Sequence, residues 1–111
     1  MSAEVAAIVA SQSWNAQTTA LAETAVFTPA ADGLYRLTVY LSMSAGTGGV
    51  TPHFYFTDDA GAQTRQFDPS NVNFPVSYEM LVKAKSGDAI SVSTSITGSP
   101  TYDFYATVES L

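Results

Sequence analysis

His53 is the sole histidine of the 111-residue chain, so acid–base or metal chemistry has to be built around it or around carboxylates. A zinc site of several histidines is excluded, and a Ser-His-Asp arrangement has only this imidazole to draw on. It lies in Thr51-Pro52-His53-Phe54-Tyr55-Phe56, where strand alternation puts it on the same face as Tyr55. One imidazole beside one phenol reads as a structural or interface pair before it reads as a catalytic one.

The carboxylates give no stronger signal. Asp58 and Asp59, with Asp68, could in principle hold calcium, but the alternating acidic spacing of a dedicated calcium loop is missing and Asp is the ordinary residue for opening a turn. A carboxylate pair for glycoside hydrolysis would have to come together in space. The chain has 10 acidic residues, and most fall in expected turns or at strand ends. Gly46-Thr47-Gly48-Gly49 is glycine-rich, yet it has no lysine and precedes a strand, so it is expected to be a loop joining strands and not a phosphate cradle. With no cysteine, disulfides and thiolate metal sites are excluded. The expectation is a protein that is not an enzyme, with no catalytic, cofactor or metal residues.

Composition narrows the partners. The net charge is −6 with only four Lys and Arg, which removes the electrostatic attraction behind most nucleic-acid binding. Residues 1–10 are apolar but carry Glu4 where a secretory signal needs basic residues, and the run is too short to span a bilayer. Synthesis in a cytoplasm, with release by lysis or assembly into a particle, is expected in preference to ordinary secretion; neither nucleic acid nor membrane is an expected partner. Charged residues make up 13% of the chain, about half the usual share. Much of the surface must therefore be uncharged, as suits strands and faces covered by neighbouring subunits.

The elements that position these residues read as strands throughout, with no helical period. In residues 34–43, Tyr35, Leu37, Val39, Leu41 and Met43 share one face, with Arg36, Thr38 and Ser42 on the other. In residues 89–97, Ile90, Val92 and Ile96 alternate with Ser91, Ser93, Ser95 and Thr97. Further strands are expected at 50–57, 62–67, 76–85 and 102–111, and before them at 5–14 and 18–28 with a turn at Asn15. Asp58-Asp59-Ala60-Gly61 and Ser86-Gly87-Asp88 supply hairpin turns, and Asp68-Pro69-Ser70-Asn71 a longer loop. The result is a single all-β domain over residues 1–111, an antiparallel β-sandwich of about eight strands in jelly-roll form. Residues 1–14 serve either as an arm contacting a neighbour or as the first strand.

Aromatic residues form 12% of the chain, more ring surface than one thin sandwich is expected to hide. Tyr40 and Tyr105 fall opposite the core faces of their strands, as do Leu81 and Leu111. With His53 and Tyr55 they make the candidate interface set, because Tyr and Phe gather where subunits meet. The alternative use of exposed rings, stacking on a surface glycan in a carbohydrate-binding module, has against it that Trp14 is alone and near the terminus.

Phe27-Thr-Pro-Ala-Ala-Asp-Gly33-Leu-Tyr35-Arg-Leu37 resembles the entry into a buried strand in the complement globular-head and tumour-necrosis-factor-like jelly rolls, where Gly33 and Tyr35 match the Gly-x-Tyr-x-Phe signature and Leu37 stands in for the last aromatic. Val82-Lys-Ala-Lys-Ser-Gly87-Asp88-Ala-Ile90-Ser-Val92 is similar to that family's Gly-Asp turn. The likeness covers about the last three-quarters of the chain, and the first of these stretches also resembles small jelly-roll virion proteins of tailed bacteriophages. It implies a homotrimer with its closing strands near the three-fold axis. In that role the chain would bind capsid or tail proteins as a capsid decoration, head-fibre or tail-associated protein.

Overall fold

The computed structural model describes residues 7–67 and 75–111, and within them the chain is all-β, with six strands and no helix: β1 (Ala7–Gln17), β2 (Thr24–Phe27), β3 (Gly33–Asp58), β4 (Gly61–Gln66), β5 (Val76–Ala84) and β6 (Ile90–Ser110). All pairings are antiparallel. The expected Asp68 loop and the first residues of the expected arm, 1–6, lie outside the described residues.

Two very long strands organise the molecule. β3 and β6 pair from Tyr35↔Ser110 to Tyr55↔Ser91 with one register shift, between Met43 and Ala45, and the remaining strands attach at one end or the other of this ribbon. At one end the order is β1-β6-β3-β5, forming the first sheet. At the other it is β2-β6-β3-β4, forming the second. The ribbon folds over at its middle, so that the sheets face each other as a jelly roll. Ring contacts cross the gap, with Phe67, just after β4, stacked on Tyr78 of β5 at 4.9 Å, and Phe27 of β2 tilted against Tyr35 of β3 at 5.7 Å.

Eight expected strands thus become six, because the glycine-rich stretch expected to be a loop stays inside β3. Residues 45–49 remain paired with residues 97–101 while the ribbon turns. The turn depends on Gly46 (φ 84°), Gly48 (φ 105°) and Gly98 (φ 70°), all in the left-handed region. A Cβ at Gly46 would run into the carbonyl oxygen of Ser99, and one at Gly48 into that of Thr97. The two backbones approach too closely there for any side chain. If each long strand is counted as two at this corner, the eight expected segments reappear.

Inward positions alternate as the sequence dictates. Tyr35, Leu37, Val39, Leu41 and Met43 are buried, as are Val50, Phe54 and Phe56 further along β3 and Ile90, Val92, Tyr102, Phe104, Ala106 and Val108 on β6. Fully burying one such aliphatic side chain contributes about 1.5–3 kcal/mol. Residues 18–28, expected to be extended throughout, form a strand only at Thr24–Phe27. Just upstream the backbone bonds to side chains instead: the Tyr102 hydroxyl donates to the Thr19 carbonyl at 2.8 Å, and Leu21 N–H donates to Thr94 Oγ1 at 2.8 Å. The Tyr102 proton is committed to Thr19, so the Thr94 hydroxyl donates to Tyr102 in their 2.7 Å contact. Burial pushes the Tyr102 phenol above its ordinary value of 10.0.

Candidate interaction surface

The sandwich has two outer faces, and the register fixes what each presents. Across the first sheet, from β5 through β3 and β6 to β1, successive rows read Leu81, Arg36, Glu109, Ile8; then Glu79, Thr38, Thr107, Ser11; then Ser77, Tyr40, Tyr105, Ser13. Beyond the first row, Lys83 lies opposite Leu34, whose carbonyl accepts the Leu111 N–H at 3.1 Å. Ile8, Leu34, Tyr40, Leu81, Tyr105 and Leu111 are between 42% and 64% exposed. These are large apolar groups in water, against the usual sense of burial, and they share one face. Val9, in the register shift of β1, is also exposed.

Charge on this face is tied down. The Arg36 guanidinium lies 3.6 Å from Glu79 on one side and 3.6 Å from Glu109 on the other. At the rim, Lys83 Nζ donates to Asp59 at 2.9 Å, with Lys85 at 3.8 Å. The hydrogen bond from Lys83, reinforced by its positive charge, holds the Asp59 carboxyl below its ordinary value, and the same bond raises Lys83.

The second sheet presents a different surface. Here β3 exposes Thr51, His53, Tyr55 and Thr57 in part, flanked by Ser91, Ser93 and Ser95 of β6 and by Thr64 and Gln66 of β4. The Tyr55 hydroxyl pairs with Ser93 Oγ at 2.7 Å, and its ring stacks with His53 at 6.3 Å. His53 Nδ1 is sealed from solvent and has no hydrogen-bond partner among the described residues. Ser91 and Ser93 are buried beneath this layer.

The six residues singled out in the sequence therefore divide. Tyr40, Leu81, Tyr105 and Leu111 come together on the first sheet, whereas His53 and Tyr55 lie half-buried on the opposite face. Most of the ring surface expected to be in surplus is sheltered within one protomer. Tyr35, Phe54, Phe56, Tyr102 and Phe104 are buried, and Trp14, Phe27, Phe67 and Tyr78 pack against the core. The exposed rings among the described residues are Tyr40 and Tyr105. Leu34 and Ile8, missed in the sequence, join them. Leu34 was legible by carrying the alternation of its strand back one residue, but Ile8 becomes visible only once β1 is paired with β6.

The candidate chemical groups serve as structure. Asp58 Oδ1 accepts from Ala60 N–H at 2.9 Å and from Gln63 Nε2 at 3.2 Å, closing the β3–β4 turn. Asp59 is held by the two lysines, and Asp68 lies outside the described residues. Among the described residues no group of three or more His, Asp or Glu side chains could hold a metal ion, and no cavity encloses a small molecule.

No protein-family model and no curated protein matches the chain. Among solved structures, a protein of the Bacillus endospore appendages, described as a novel family of disulfide-linked pili, is similar in fold. It has a TM-score of 0.58 and 22% identity, over 96% of this chain and 86% of that one.

Proposed function

We propose that this chain is a non-enzymatic structural subunit that associates with copies of itself through the outer face of its first sheet. The observation that carries the reading is the gathering of Ile8, Leu34, Tyr40, Leu81, Tyr105 and Leu111 on that face. Aromatic and aliphatic groups are enriched where subunits meet, and the charge among them here, Arg36 with Glu79 and Glu109, is already paired within the face. Similarity in fold to a pilus protein supports an assembly of repeated copies. Because the 111 residues hold no cysteine, the copies here are held by surface burial and multiplied weak attachment, without disulfides.

The finer form of the reading is a homotrimeric virion accessory protein, made in the host cytoplasm and attached to capsid or tail proteins. Native mass spectrometry across a concentration series tests both levels. A closed trimer supports the virion form, an open ladder of masses supports a filament, and a mass of 11.7 kDa at every concentration overturns self-association altogether.

One observation favours a second reading, a module that binds a surface glycan. Tyr40 and Tyr105 are direct cross-strand neighbours, fenced by Ser13, Ser77, Thr38 and Thr107, and adjacent exposed rings among hydroxyls suit stacking on a sugar. A monomer retained on a polysaccharide column, with retention lost in Tyr105→Ala, would establish that reading over the first.

A further inference from the structure

Each sheet has two edges, and a strand edge left open is a template for pairing with another chain unless it is short, charged or kinked. Three of the four edges here are blunted. β2 has four residues, β4 has six and carries Arg65, and β5 carries Glu79 and Lys83. β1 differs: its 11 residues, Ala-Ile-Val-Ala-Ser-Gln-Ser-Trp-Asn-Ala-Gln, contain no charge and no proline. Among the described residues it pairs with β6 along one side only. On a molecule of net charge −6, this is the long strand edge that a second copy approaches with no charge on the strand itself.

We infer that β1 is a homotypic docking edge, pairing antiparallel with β1 of a second copy across a two-fold axis. This rests on the self-associating reading above and adds to it a second surface with a defined register. Register shifts fall between Ile8 and Ala10 and between Trp14 and Gln17, and Ala16 takes a positive φ of 51°, so the regular part of the edge is residues 10–14. Its centre is Gln12. A two-fold axis there sets Ala10 opposite Trp14, Ser11 opposite Ser13 and Gln12 opposite itself, which keeps the exposed serines on the outer side in both copies. The two first sheets then form one continuous sheet, with both apolar faces on the same side.

The absence of native cysteine makes this register directly testable. Directly opposed Cα atoms in an antiparallel pair lie about 4.5–5.5 Å apart, within disulfide reach, whereas diagonal neighbours at about 7–8 Å fall outside it. Ser11→Cys and Ser13→Cys are prepared as separate single variants of the full chain, mixed, and oxidised mildly. The mixture is expected to shift from the monomer to the dimer band on a non-reducing gel, while each variant alone stays monomeric. Equal cross-linking of the single variants overturns the proposal. Both substitutions are at exposed positions, and an unchanged thermal midpoint verifies that the variants fold. If wild-type oligomers persist and the mixture gives no disulfide, the edge proposal falls and self-association stands; if the wild type is monomeric at every concentration, both fall.

Discussion

The outer faces of the two sheets are built by the same alternation on the same two long strands, yet one presents leucines and tyrosines and the other threonines and serines. On β3 the outward residues run Leu34, Arg36, Thr38 and Tyr40 before the glycine corner, and Thr51, His53, Tyr55 and Thr57 after it. Inward residues are equally apolar in both halves. Core formation therefore explains both inner faces and neither outer one. The second face pairs the Tyr55 hydroxyl with Ser93 and half-buries the His53 ring against Tyr55, and so offers little large apolar surface to a partner. The first leaves aliphatic and aromatic surface in water, where covering it with protein gains roughly 25 cal/mol for each Å² buried.

The comparison depends on the corner, and breaking the corner has the largest expected effect. Gly48→Val places a branched side chain at φ 105°, against the carbonyl of Thr97. Because the opposing atom is backbone in a continuous ladder, no side chain can move aside. The expected loss is about 3 kcal/mol or more, on the order of 10–20 °C in thermal midpoint. Gly61→Ala provides the contrast: it also has a positive φ, but nothing lies within 4 Å of the added Cβ, so it should cost about 1 kcal/mol. Circular dichroism melts of the two variants measure the difference, and equal losses would remove the corner's special role.

Exchanging the character of the faces sharpens the contrast without unfolding the protein. Tyr105→Asp puts a charge in the middle of the first face and should weaken association by about tenfold or more, with a change in stability of under about 1 kcal/mol. Ser95→Asp, at an exposed position on the second face, should leave association within about twofold. Sedimentation velocity of both variants at matched concentrations measures this. A loss of association in Ser95→Asp equal to that in Tyr105→Asp would mean that both faces are covered in the assembly.

How far the sequence reveals these features follows from the range of each signal. Alternation is local, so the core of β3 and β6 and the outward placement of Tyr40, Leu81, Tyr105 and Leu111 were legible residue by residue. The Asp58–Gly61 and Ser86–Asp88 turns were legible for the same reason. Pairing is long-range. Nothing near Gly46 or Gly48 indicates that Ser99 and Thr97 press against them, so a paired corner read as a loop. Residues 18–23 read as strand because their bonds to Tyr102 and Thr94 come from more than seventy residues away. The division of the six candidate residues between two faces was hidden for the same reason: outward is the same word for both sheets until the fold sets them back to back.

The smallest expected effect concerns the link between the sheets. Asp59, in the turn after the second-sheet half of β3, reaches Lys83 and Lys85 of the β5 end of the first sheet, and these are the ion pairs that bridge the two sheets among the described residues. Asp59 is held below its ordinary 3.8 and Lys83 above its ordinary 10.5. A lowered carboxyl contributes stability that is present above its unfolded value and lost as pH falls through its folded one. A raised ammonium contributes stability that is present below its unfolded value and lost as pH rises through its folded one. The pair should therefore support the fold between roughly pH 4 and pH 10 and fade outside that window. Both groups are fully exposed to solvent, which screens them strongly. Asp59→Asn should accordingly lower the thermal midpoint slightly at neutral pH and by less at pH 3, and added salt should erase the difference. A pH-independent deficit in Asp59→Asn would locate the contribution of Asp59 in the turn itself, leaving the core, the glycine corner and hydrogen bonds such as Lys85 N–H to the Thr57 carbonyl at 2.9 Å to join the two sheets.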